Sequence, residues 1–295
     1  MKKILITGEH SFIGTSFTKY LIKYGFDYIA YTLDMTDSSW REKDFSKYDV
    51  VFHVAGIAHH DEGRVNDKIK ALYYKVNTDL AIETAKKAKA DGVKQFIFMS
   101  SSIVYKRCTV FGDPVIITKD TAAIPGSIYG DSKLQAEKGI IPLQDDKFKV
   151  VILRPPMIYG VGCKGNYPIL STYARHFHLF PDVYNQRSML YVGNLAEFVR
   201  LMIENEESGI FYPQNSEYVK TSEMVKLIAE VHGRKVKLTK VFNKLIAKLG
   251  NKIGLINKVF GNYTYDMSMS EYKENYRICD FKESIARSEG IHDIK

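Results

Sequence analysis

Two side chains that could exchange a proton stand four residues apart in the segment 127–133, which reads Ser-Ile-Tyr-Gly-Asp-Ser-Lys. If this segment begins a helix, Tyr129 and Lys133 share one face of it. A lysine ammonium beside a phenol favours the phenolate, so Tyr129 could then exchange a proton near neutral pH. The pair alone is weak evidence, because tyrosine and lysine at this spacing are common on solvated helix faces. It indicates a catalytic site only together with a nucleotide-binding segment and a nearby hydroxyl group.

The N-terminal residues have the pattern of a dinucleotide-binding turn. An apolar strand over residues 2–7 leads to Gly8 and Gly14, and an amphipathic helix follows over about residues 12–24. Gly8 permits a tight turn, and Gly14 permits close packing of the helix on the strand. Ser11 stands where the backbone approaches a pyrophosphate and where the pattern has glycine. An ordinary strand–turn–helix connection is the alternative.

Small or polar residues end the next two strands. Asp34 follows a strand over about residues 28–32, where many NAD proteins place an acid that binds the ribose hydroxyls, although it could serve the adenine side instead. Ala55 and Gly56 end a continuously apolar strand and would let a cofactor lie against the backbone. Asn77, in the helix that follows, is either solvated or turned to the cofactor cleft. No arginine directly follows the second strand to mark a 2′-phosphate, so NAD and NADP both stay open.

A cluster of hydroxyl groups begins where the fourth strand, residues 95–99, ends. It consists of Ser100, Ser101 and Ser102. Ligands gather at the carboxyl ends of strands in open α/β sheets, so one of these serines could contact a substrate. Any single one could equally cap a turn.

Strands and helices alternate up to about residue 160, which predicts an α/β fold with a Rossmann-type doubly wound parallel sheet. We expect an NAD(P)-binding domain over residues 1–160. Residues 161–295 are expected to form mainly a smaller C-terminal α/β substrate lobe, with some chain returning to the first domain. In this lobe Arg187 could hold a diphosphate with its planar guanidinium, or it could be a solvated surface residue. Thr221 is predicted to cap a helix over residues 222–232.

Composition narrows the classes of partner. The net charge is +8 and the pI about 9.1, but the basic residues look spread along the chain and no nucleic-acid-binding motif occurs, so nucleic acid is not expected. Three cysteines at wide spacing fit a reducing compartment. The N-terminus does not resemble a signal peptide, and no apolar run reaches the ~20 residues that cross a bilayer. We therefore expect a cytoplasmic protein.

Two further features leave alternatives open. His53, His59 and His60 stand close together, but no carboxylate or cysteine lies at ligand spacing, so no metal site is predicted. Residues 242–260 repeat apolar side chains at steps of three and four, with Lys244, Lys248 and Lys252 on another face. Such a basic amphipathic helix either lies on an anionic membrane or packs on its own protein or a second subunit.

Taken together, these residues resemble the extended short-chain dehydrogenase/reductase superfamily, in its branch of NAD-dependent nucleotide-sugar epimerases, dehydratases and reductases. The chain is also similar to capsular-polysaccharide members that act on UDP-linked 2-acetamido sugars. The matching segments keep the family's order: TGEHSFIG at 7–14, DVVFHVAG at 49–56, FIFMSSSIVY at 96–105, YGDSK at 129–133, LRPPMIYG at 153–160 and RSMLYVGNLA at 187–196.

The resemblance implies roles for single residues. The catalytic residues would be Ser101, which holds the C4 oxygen, Tyr129 as the acid/base, and Lys133, which lowers the pKa of the tyrosine. The cofactor would contact a larger set: Gly8, Ser11, Phe12, Ile13, Gly14, Asp34, Met35, Ala55, Gly56, Asn77, Tyr129, Lys133, Pro156 and Met157. The substrate would contact Ser101, Ser102, Asn166 and Arg187, the last two through the UDP diphosphate.

Departures from the family pattern narrow the expected reaction. A 4,6-dehydratase needs an acid–base pair at positions 102 and 103, and C3 or C5 epimerases need a second titratable pair; Ser102 and Ile103 supply neither. The short segment between the second and third strands resembles 4-keto-sugar reductases. We therefore expect NAD(P)H-dependent reduction at C4 of a UDP-linked 2-acetamido hexose in surface polysaccharide biosynthesis, by a homodimer. The alternatives are a UDP-glucose or UDP-N-acetylglucosamine 4-epimerase with tightly bound NAD, and a non-catalytic NAD(P)-binding regulator.

Overall fold

The computed structural model describes residues 1–58, 66–105, 116–250 and 254–291. Their helices, in chain order, are α1 (Phe12–Lys23), α2 (Asp67–Tyr73), α3 (Leu80–Ala90), α4 (Ile128–Ile140), α5 (Asn166–His176), α6 (Val192–Glu204), α7 (Thr221–Val231), α8 (Asn243–Gly250), α9 (Gly254–Phe260) and α10 (Phe281–Ser288). Their strands are β1 (Lys2–Thr7), β2 (Tyr28–Leu33), β3 (Val50–His53), β4 (Gln95–Met99), β5 (Ile116–Ile117), β6 (Lys149–Leu153), β7 (Met157–Tyr159), β8 (Leu179–Pro181), β9 (Met189–Tyr191), β10 (Gly209–Phe211), β11 (Lys237–Thr239) and β12 (Thr264–Tyr265).

Six of these strands form one parallel sheet in the order β10-β6-β4-β3-β1-β2. Leu5 pairs with Tyr31 on one side and with Val51 on the other, which places the carboxyl ends of β1, β2 and β3 at the same edge. The strand order reverses between β1 and β3. In an open α/β sheet, ligands bind in the crevice outside such a switch point. The predicted Rossmann-type fold is confirmed.

Helices cover both faces of the sheet. On one face, side chains such as Val51, Phe96 and Ile152 pack with the small side chains of α3 and with α4 residues such as Ile140. On the other face, Phe17 of α1 meets the Phe52 ring edge to face, with centroids 5.5 Å apart. Because both faces are covered, the central strands β3 and β4 are buried at every residue rather than at alternate ones.

The segment between β2 and β3 is as short as the sequence indicated. It contains a 3₁₀ helix over Ser38–Glu42 and no α-helix. Trp40 and Phe45 of this segment are almost fully buried, at 1% and 0% exposure, and complete the core below β2.

The described residues fall into two compact units. Unit 1 comprises Met1–Lys106, Ala122–Pro155 and Ala196–Tyr212, and unit 2 comprises Arg107–Thr121, Pro156–Leu195 and Pro213–Lys295. The division therefore falls after residue 155 rather than 160, and it passes through α6. Residues 196–212 join unit 1 because they bring α6 side chains and β10 to the sheet: Gln95 Nε2 donates to the carbonyls of Met202 (2.8 Å) and Glu207 (3.0 Å).

Two local predictions need correction. Thr221 is the first helical residue of α7 and not its cap; its amide donates to Asn185 Oδ1 at 3.0 Å, so a side chain distant in sequence caps the helix. The apolar repeat over 242–260 is divided between α8 and α9, and residues 251–253 between them lie outside the described chain. None of the helices that the structure describes is long and apolar enough to cross a bilayer.

Candidate active site

The glycine turn after β1 has the close contacts that its sequence predicted. Gly8 has φ +89°, and a β-carbon added to it would lie 3.0 Å from both Cα and N of Ala55. One added to Gly14 would lie 2.9 Å from the Ile6 side chain. The first glycine therefore brings β1 and β3 together, and the second lets α1 approach β1.

Ser11, the departure from the glycine pattern, is accommodated without strain. It has φ −70° and ψ 139°, an extended conformation open to any residue. Its hydroxyl caps α1 by accepting from the amide of Gly14 at 3.0 Å. A helix N-terminus with free amides binds phosphate oxygens well. The turn therefore fits a dinucleotide, with Phe12 and Ile13 half-buried at the start of the helix.

The end of β2 lies beside this turn. Gly8 N donates to Leu33 O at 2.9 Å, which places Asp34 next to the glycine. Asp34 is exposed and accepts from the amide and hydroxyl of Thr36, and these bonds lower the pKa of its carboxyl group. Asp34 is thus an ionised, exposed acceptor beside the glycine turn. Met35 packs in the hydrophobic core with 8% exposure, so little of its surface is left for a ligand.

Gly56 connects the glycine turn to the predicted catalytic helix. A β-carbon at this exposed position would lie 3.0 Å from Asn77 Oδ1 and 3.3 Å from Lys133 Nζ. Asn77 is fully buried; its amide bonds both backbone groups of Ile57 and, at 3.1 Å, the Ser132 hydroxyl. It lies in a π-helical turn, Tyr74–Asp79, a distortion that often marks functional sites. Asn77 therefore holds the end of β3 against α4.

The three serines after β4 have different surroundings. Ser100 is buried and donates to the carboxylate of Glu137. Ser102 is also buried, and its amide donates to Pro155 O at 2.8 Å. Ser101 is partly exposed and caps a short 3₁₀ helix by accepting from Ile103 N at 3.3 Å. Of the three hydroxyls, that of Ser101 is the most available to a substrate.

Tyr129 and Lys133 lie in the first two turns of α4, as predicted. Ser127 caps this helix by accepting from Gly130 N at 3.1 Å. Lys133 is 5% exposed; its Nζ donates to Met99 O at 2.9 Å and lies 4.7 Å from the centre of the Phe98 ring. Burial lowers the pKa of Lys133 to about 8, and the charge of Glu137 opposes the shift. The lysine is therefore anchored on the last residue of β4, directly before the serines.

Gly130 sets the distance between α4 and the turn over residues 100–105, which we call the serine turn. A β-carbon at this position would lie 2.3 Å from Ile103 O, which is far inside contact distance. Helix and turn can approach this closely only because residue 130 has no side chain. The close approach brings the segment that carries Tyr129 next to the segment that carries Ser101.

Sequence reasoning missed a buried ion pair behind these residues. The Glu137 carboxylate accepts from Arg154 Nη2 at 2.5 Å and from Nε at 3.1 Å, and both residues are at most 7% exposed. Arg154 also donates to the Tyr105 hydroxyl at 2.7 Å. The sequence contained a signal for this ion pair: Glu137 follows Lys133 by four residues on the same helix face, and Arg154 directly follows an apolar strand.

His53 is part of the core. Its Nδ1 lies 2.9 Å from the Thr7 hydroxyl, and its ring stacks on Phe96 and Phe98. Full burial lowers the pKa of His53 to about 3, so the ring is neutral. His59 and His60 lie outside the described residues, among which no cluster of three metal-ligating side chains occurs.

Unit 2 contains the other predicted contacts. Asn166 Nδ2 donates to Lys258 O at 3.1 Å, and Arg187 Nη1 donates to the same carbonyl and, at 3.3 Å, to Val259 O. The two residues predicted to hold the diphosphate therefore converge on the C-terminal end of α9, whose carbonyls carry partial negative charge. Pro156 is buried, and the half-buried Met157 begins β7, which pairs with β9.

A profile of the NAD dependent epimerase/dehydratase family matches residues 4–212. The chain belongs to this family. A UDP-glucose 4-epimerase from Vibrio cholerae is 30% identical over 292 aligned residues, which cover 90% of this chain and 88% of that protein. An N-acetyl-alpha-D-glucosaminyl-diphospho-ditrans,octacis-undecaprenol 4-epimerase from Escherichia coli O157:H7 is 27% identical, covering 70% of this chain and 64% of that protein.

Solved structures agree with the family's fold. A dTDP-4-dehydrorhamnose reductase from Clostridium acetobutylicum superposes with a TM-score of 0.72 over 98% of both chains, at 20% identity. Structures of the same fold include complexes with NAD and with NADP. The protein is thus an enzyme of the NAD dependent epimerase/dehydratase family. That the glycine turn, Asp34 and the end of β3 hold the cofactor stays a prediction.

Proposed function

We infer that this enzyme reduces the 4-keto group of a UDP-linked 2-acetamido sugar with NADH or NADPH, in the biosynthesis of a surface polysaccharide such as a capsule. The observation that carries the proposal is the hydrogen bond of Lys133 to Met99 O. Lys133 lies one helical turn from Tyr129, and Met99 lies two residues before the partly exposed Ser101. The ammonium, phenol and hydroxyl groups belong to neighbouring segments near the carboxyl ends of the strands, where ligands bind in such sheets, and this supports a catalytic role for them.

Each of the three groups has a role in the proposed reaction. The bound cofactor supplies the hydride that C4 receives. Tyr129 donates its phenolic proton to O4, so that the carbonyl becomes a hydroxyl group and the tyrosine is left as a phenolate. The ammonium of Lys133 stabilises that phenolate, and the Ser101 hydroxyl donates a hydrogen bond to O4. Solvent then returns a proton to Tyr129.

Two features favour reduction at C4 over related reactions. Ser102 and Ile103 are each only 8% exposed, and neither side chain carries a titratable group, so no second acid–base pair is available at the positions that dehydration or C3 and C5 epimerisation would use. The segment between β2 and β3 has no α-helix, the feature by which the sequence resembled 4-keto-sugar reductases.

The diphosphate of the substrate would be held in unit 2. Arg187 and Asn166 both donate to Lys258 O, an acceptor that phosphate oxygens could replace. A diphosphate is common to UDP-sugars and to the polyprenol-linked sugar named for the relative from E. coli O157:H7. We propose UDP as the carrier, and comparing turnover of the UDP-linked and polyprenol-linked forms of one sugar distinguishes the two.

C4 epimerisation is the second candidate, because the relative from V. cholerae carries that name and the same Ser101, Tyr129 and Lys133 could perform it. The test incubates purified enzyme with UDP-glucose or UDP-N-acetylglucosamine without added cofactor. A reductase is expected to form no C4 epimer, and to oxidise NADH or NADPH only when a UDP-4-keto sugar is added. Formation of the C4 epimer would refute the reductase proposal.

A variant that separates cofactor binding from chemistry distinguishes an enzyme from a catalytically silent NAD(P)-binding regulator. Tyr129→Phe removes only the phenolic hydroxyl and should abolish turnover while the dissociation constant for the cofactor stays unchanged. Turnover is followed by the absorbance of the reduced nicotinamide, and binding by titration calorimetry. If wild type and variant were equally inert with every UDP-4-keto sugar, the regulator would be favoured.

The buried, free thiols of Cys163 and Cys279 support the cytoplasm as the compartment of this reaction. Cys108 lies outside the described residues. The homodimer expected from the sequence stays a prediction.

A further inference from the structure

The net charge of the chain is concentrated in one segment, which corrects the expectation that it is spread evenly. Residues 231–265 contain eight lysines and arginines and no aspartate or glutamate. The whole chain has 42 basic and 34 acidic residues, so outside this segment 34 basic residues are matched by 34 acidic ones. The entire excess of +8 therefore belongs to 35 residues of unit 2.

Within this segment, three large apolar side chains are exposed at the start of α8. Val241, Phe242 and Leu245 are 81%, 41% and 56% exposed. Phe242 and Leu245 are three residues apart, so they lie on one face of the helical turn. Single exposed apolar residues need no explanation, but three together on one short stretch mark an interaction surface.

Exposed lysines lie beside these apolar side chains on the same stretch, since Lys244 follows Val241 and Lys248 follows Leu245 by three residues. Lys240, Lys244 and Lys248 recur every four residues and are all exposed. We call Lys240–Lys248 the basic–apolar surface. Its first residues are held to the rest of unit 2: Asn243 Nδ2 donates to Asp182 O at 2.9 Å, and the preceding strand β11 pairs with β8. The backbone of this surface is thus fixed while its apolar and cationic side chains face solvent.

We propose that the basic–apolar surface docks on a lipid bilayer that contains anionic lipids. A bilayer offers both components that the surface matches: a negatively charged headgroup layer for the lysines, and acyl chains below it for Val241, Phe242 and Leu245. Nucleic acid would match the charge but offers no apolar phase for the three side chains. A second copy of the chain could cover the three apolar side chains, but its own charge of +8 would repel the basic segment of the first copy.

Docking would also bring the proposed diphosphate contacts close to the membrane. The same acid-free segment includes α9, whose Lys258 carbonyl accepts from Asn166 and Arg187. The docking proposal does not depend on which reaction the enzyme catalyses, since membrane binding is measured without substrate.

The test is flotation of the full-length protein with vesicles of phosphatidylcholine alone, or of phosphatidylcholine and phosphatidylglycerol in equal parts, at physiological salt. One variant replaces Lys240, Lys244 and Lys248 by glutamine, and another replaces Val241, Phe242 and Leu245 by serine. The control replaces Lys19, Lys68 and Lys86, exposed lysines of unit 1, by glutamine. Circular dichroism verifies that each variant is folded.

Wild type and control are expected to float with the anionic vesicles and not with the neutral ones. Each of the two surface variants should lower the partition coefficient by about tenfold or more, since a lysine near an anionic surface and a buried apolar side chain each contribute severalfold. Activity on a water-soluble substrate should be unchanged in all variants.

Three results would overturn the proposal. The first is that the wild type does not float with the anionic vesicles. The second is that the control variant loses as much of its partition coefficient as the lysine variant does, which would indicate non-specific charge attraction. The third is a different occupant: binding to a DNA duplex that only the lysine variant loses, or a dimer in analytical ultracentrifugation that only the serine variant dissociates.

Discussion

At the scale of single residues, Gly130 makes a sharp prediction. Gly130→Ala adds a β-carbon 2.3 Å from Ile103 O, and because this neighbour is backbone, helix α4 or the serine turn has to move. A displacement of about 1 Å between catalytic groups can lower turnover by a factor of roughly 100. We expect a loss of that order in kcat, measured in steady-state kinetics with the substrate identified for the wild type.

Gly139→Ala is the matched control on the same helix. Its β-carbon would meet only side-chain atoms of Ile82, Cδ1 at 2.3 Å and Cγ1 at 2.7 Å, and a side chain can move by rotation where backbone cannot. This variant should keep most of the activity. Full activity of Gly130→Ala, or an equal loss in both variants, would show that the close approach at Ile103 does not position Tyr129.

Lys133 predicts a pH dependence of stability. Burial lowers its pKa from 10.5 to about 8, so at neutral pH the folded protein bears the cost of a buried charge, roughly 3 kcal/mol. Between pH 8 and 10.5 the folded state releases this proton while the unfolded state keeps it. The unfolding free energy contributed by Lys133 therefore rises with pH across this window and is constant below it.

Comparison with Lys133→Met isolates this contribution. The unfolding free energy of the wild type minus that of the variant should increase by about 3 kcal/mol from neutral pH to pH 10.5. Urea denaturation of both proteins without cofactor measures it. If the unfolding free energies of the two proteins changed in parallel with pH, the lowered pKa of Lys133 would be contradicted. An active Lys133→Met enzyme would contradict the proposed role of the ammonium.

At the scale of elements, the Glu137–Arg154 ion pair joins α4 to the ends of β4 and β6. Glu137 accepts from Ser100 of the serine turn and from Arg154 at the end of β6. The pair is buried, so removing one partner leaves an uncompensated charge, at a cost of about 3–5 kcal/mol, whereas replacing both by apolar residues is often nearly neutral. The ion pair is therefore expected to position the segments more than to stabilise the fold.

We accordingly expect Glu137→Gln to destabilise the protein by several kcal/mol in chemical denaturation, and Glu137→Leu combined with Arg154→Met to destabilise it less. Both should lower kcat, because Ser100 loses the carboxylate to which it donates. Glu83→Gln is the control: its ion pair with Arg41 is exposed, and its loss should cost less than about 1 kcal/mol. A double variant that is less stable than the single variant would refute this account.

At the scale of the whole molecule, the return of the chain to unit 1 determines where the protein can be divided. Residues 196–212 supply β10 and buried side chains of α6 such as Val199 and Met202. A fragment of residues 1–160 lacks them and would expose apolar surface on one face of its sheet. We expect this fragment to bind the dye ANS and to unfold without a cooperative transition, unlike the full chain. A cooperative melt of the fragment with cofactor binding would contradict the division.

The sequence alone determined the parts of this protein that depend on local pattern. The apolar strands, the glycine turn and the segment YGDSK predicted the sheet and placed Tyr129 and Lys133 on one helix, because periodicity and turn residues act over short distances. Segment order in several family motifs was enough to predict the family, which the profile over residues 4–212 confirms.

Tertiary structure decided what depends on contacts between distant residues. Only packing distinguishes the accessible Ser101 from the buried Ser100 and Ser102, and only folding brings Arg154 to Glu137 or Asn185 to the start of α7. Burial and pairing are set by which segments meet in space, and spacing along the chain does not encode them. The roles of the site residues depend on the same contacts, and the variants above test them.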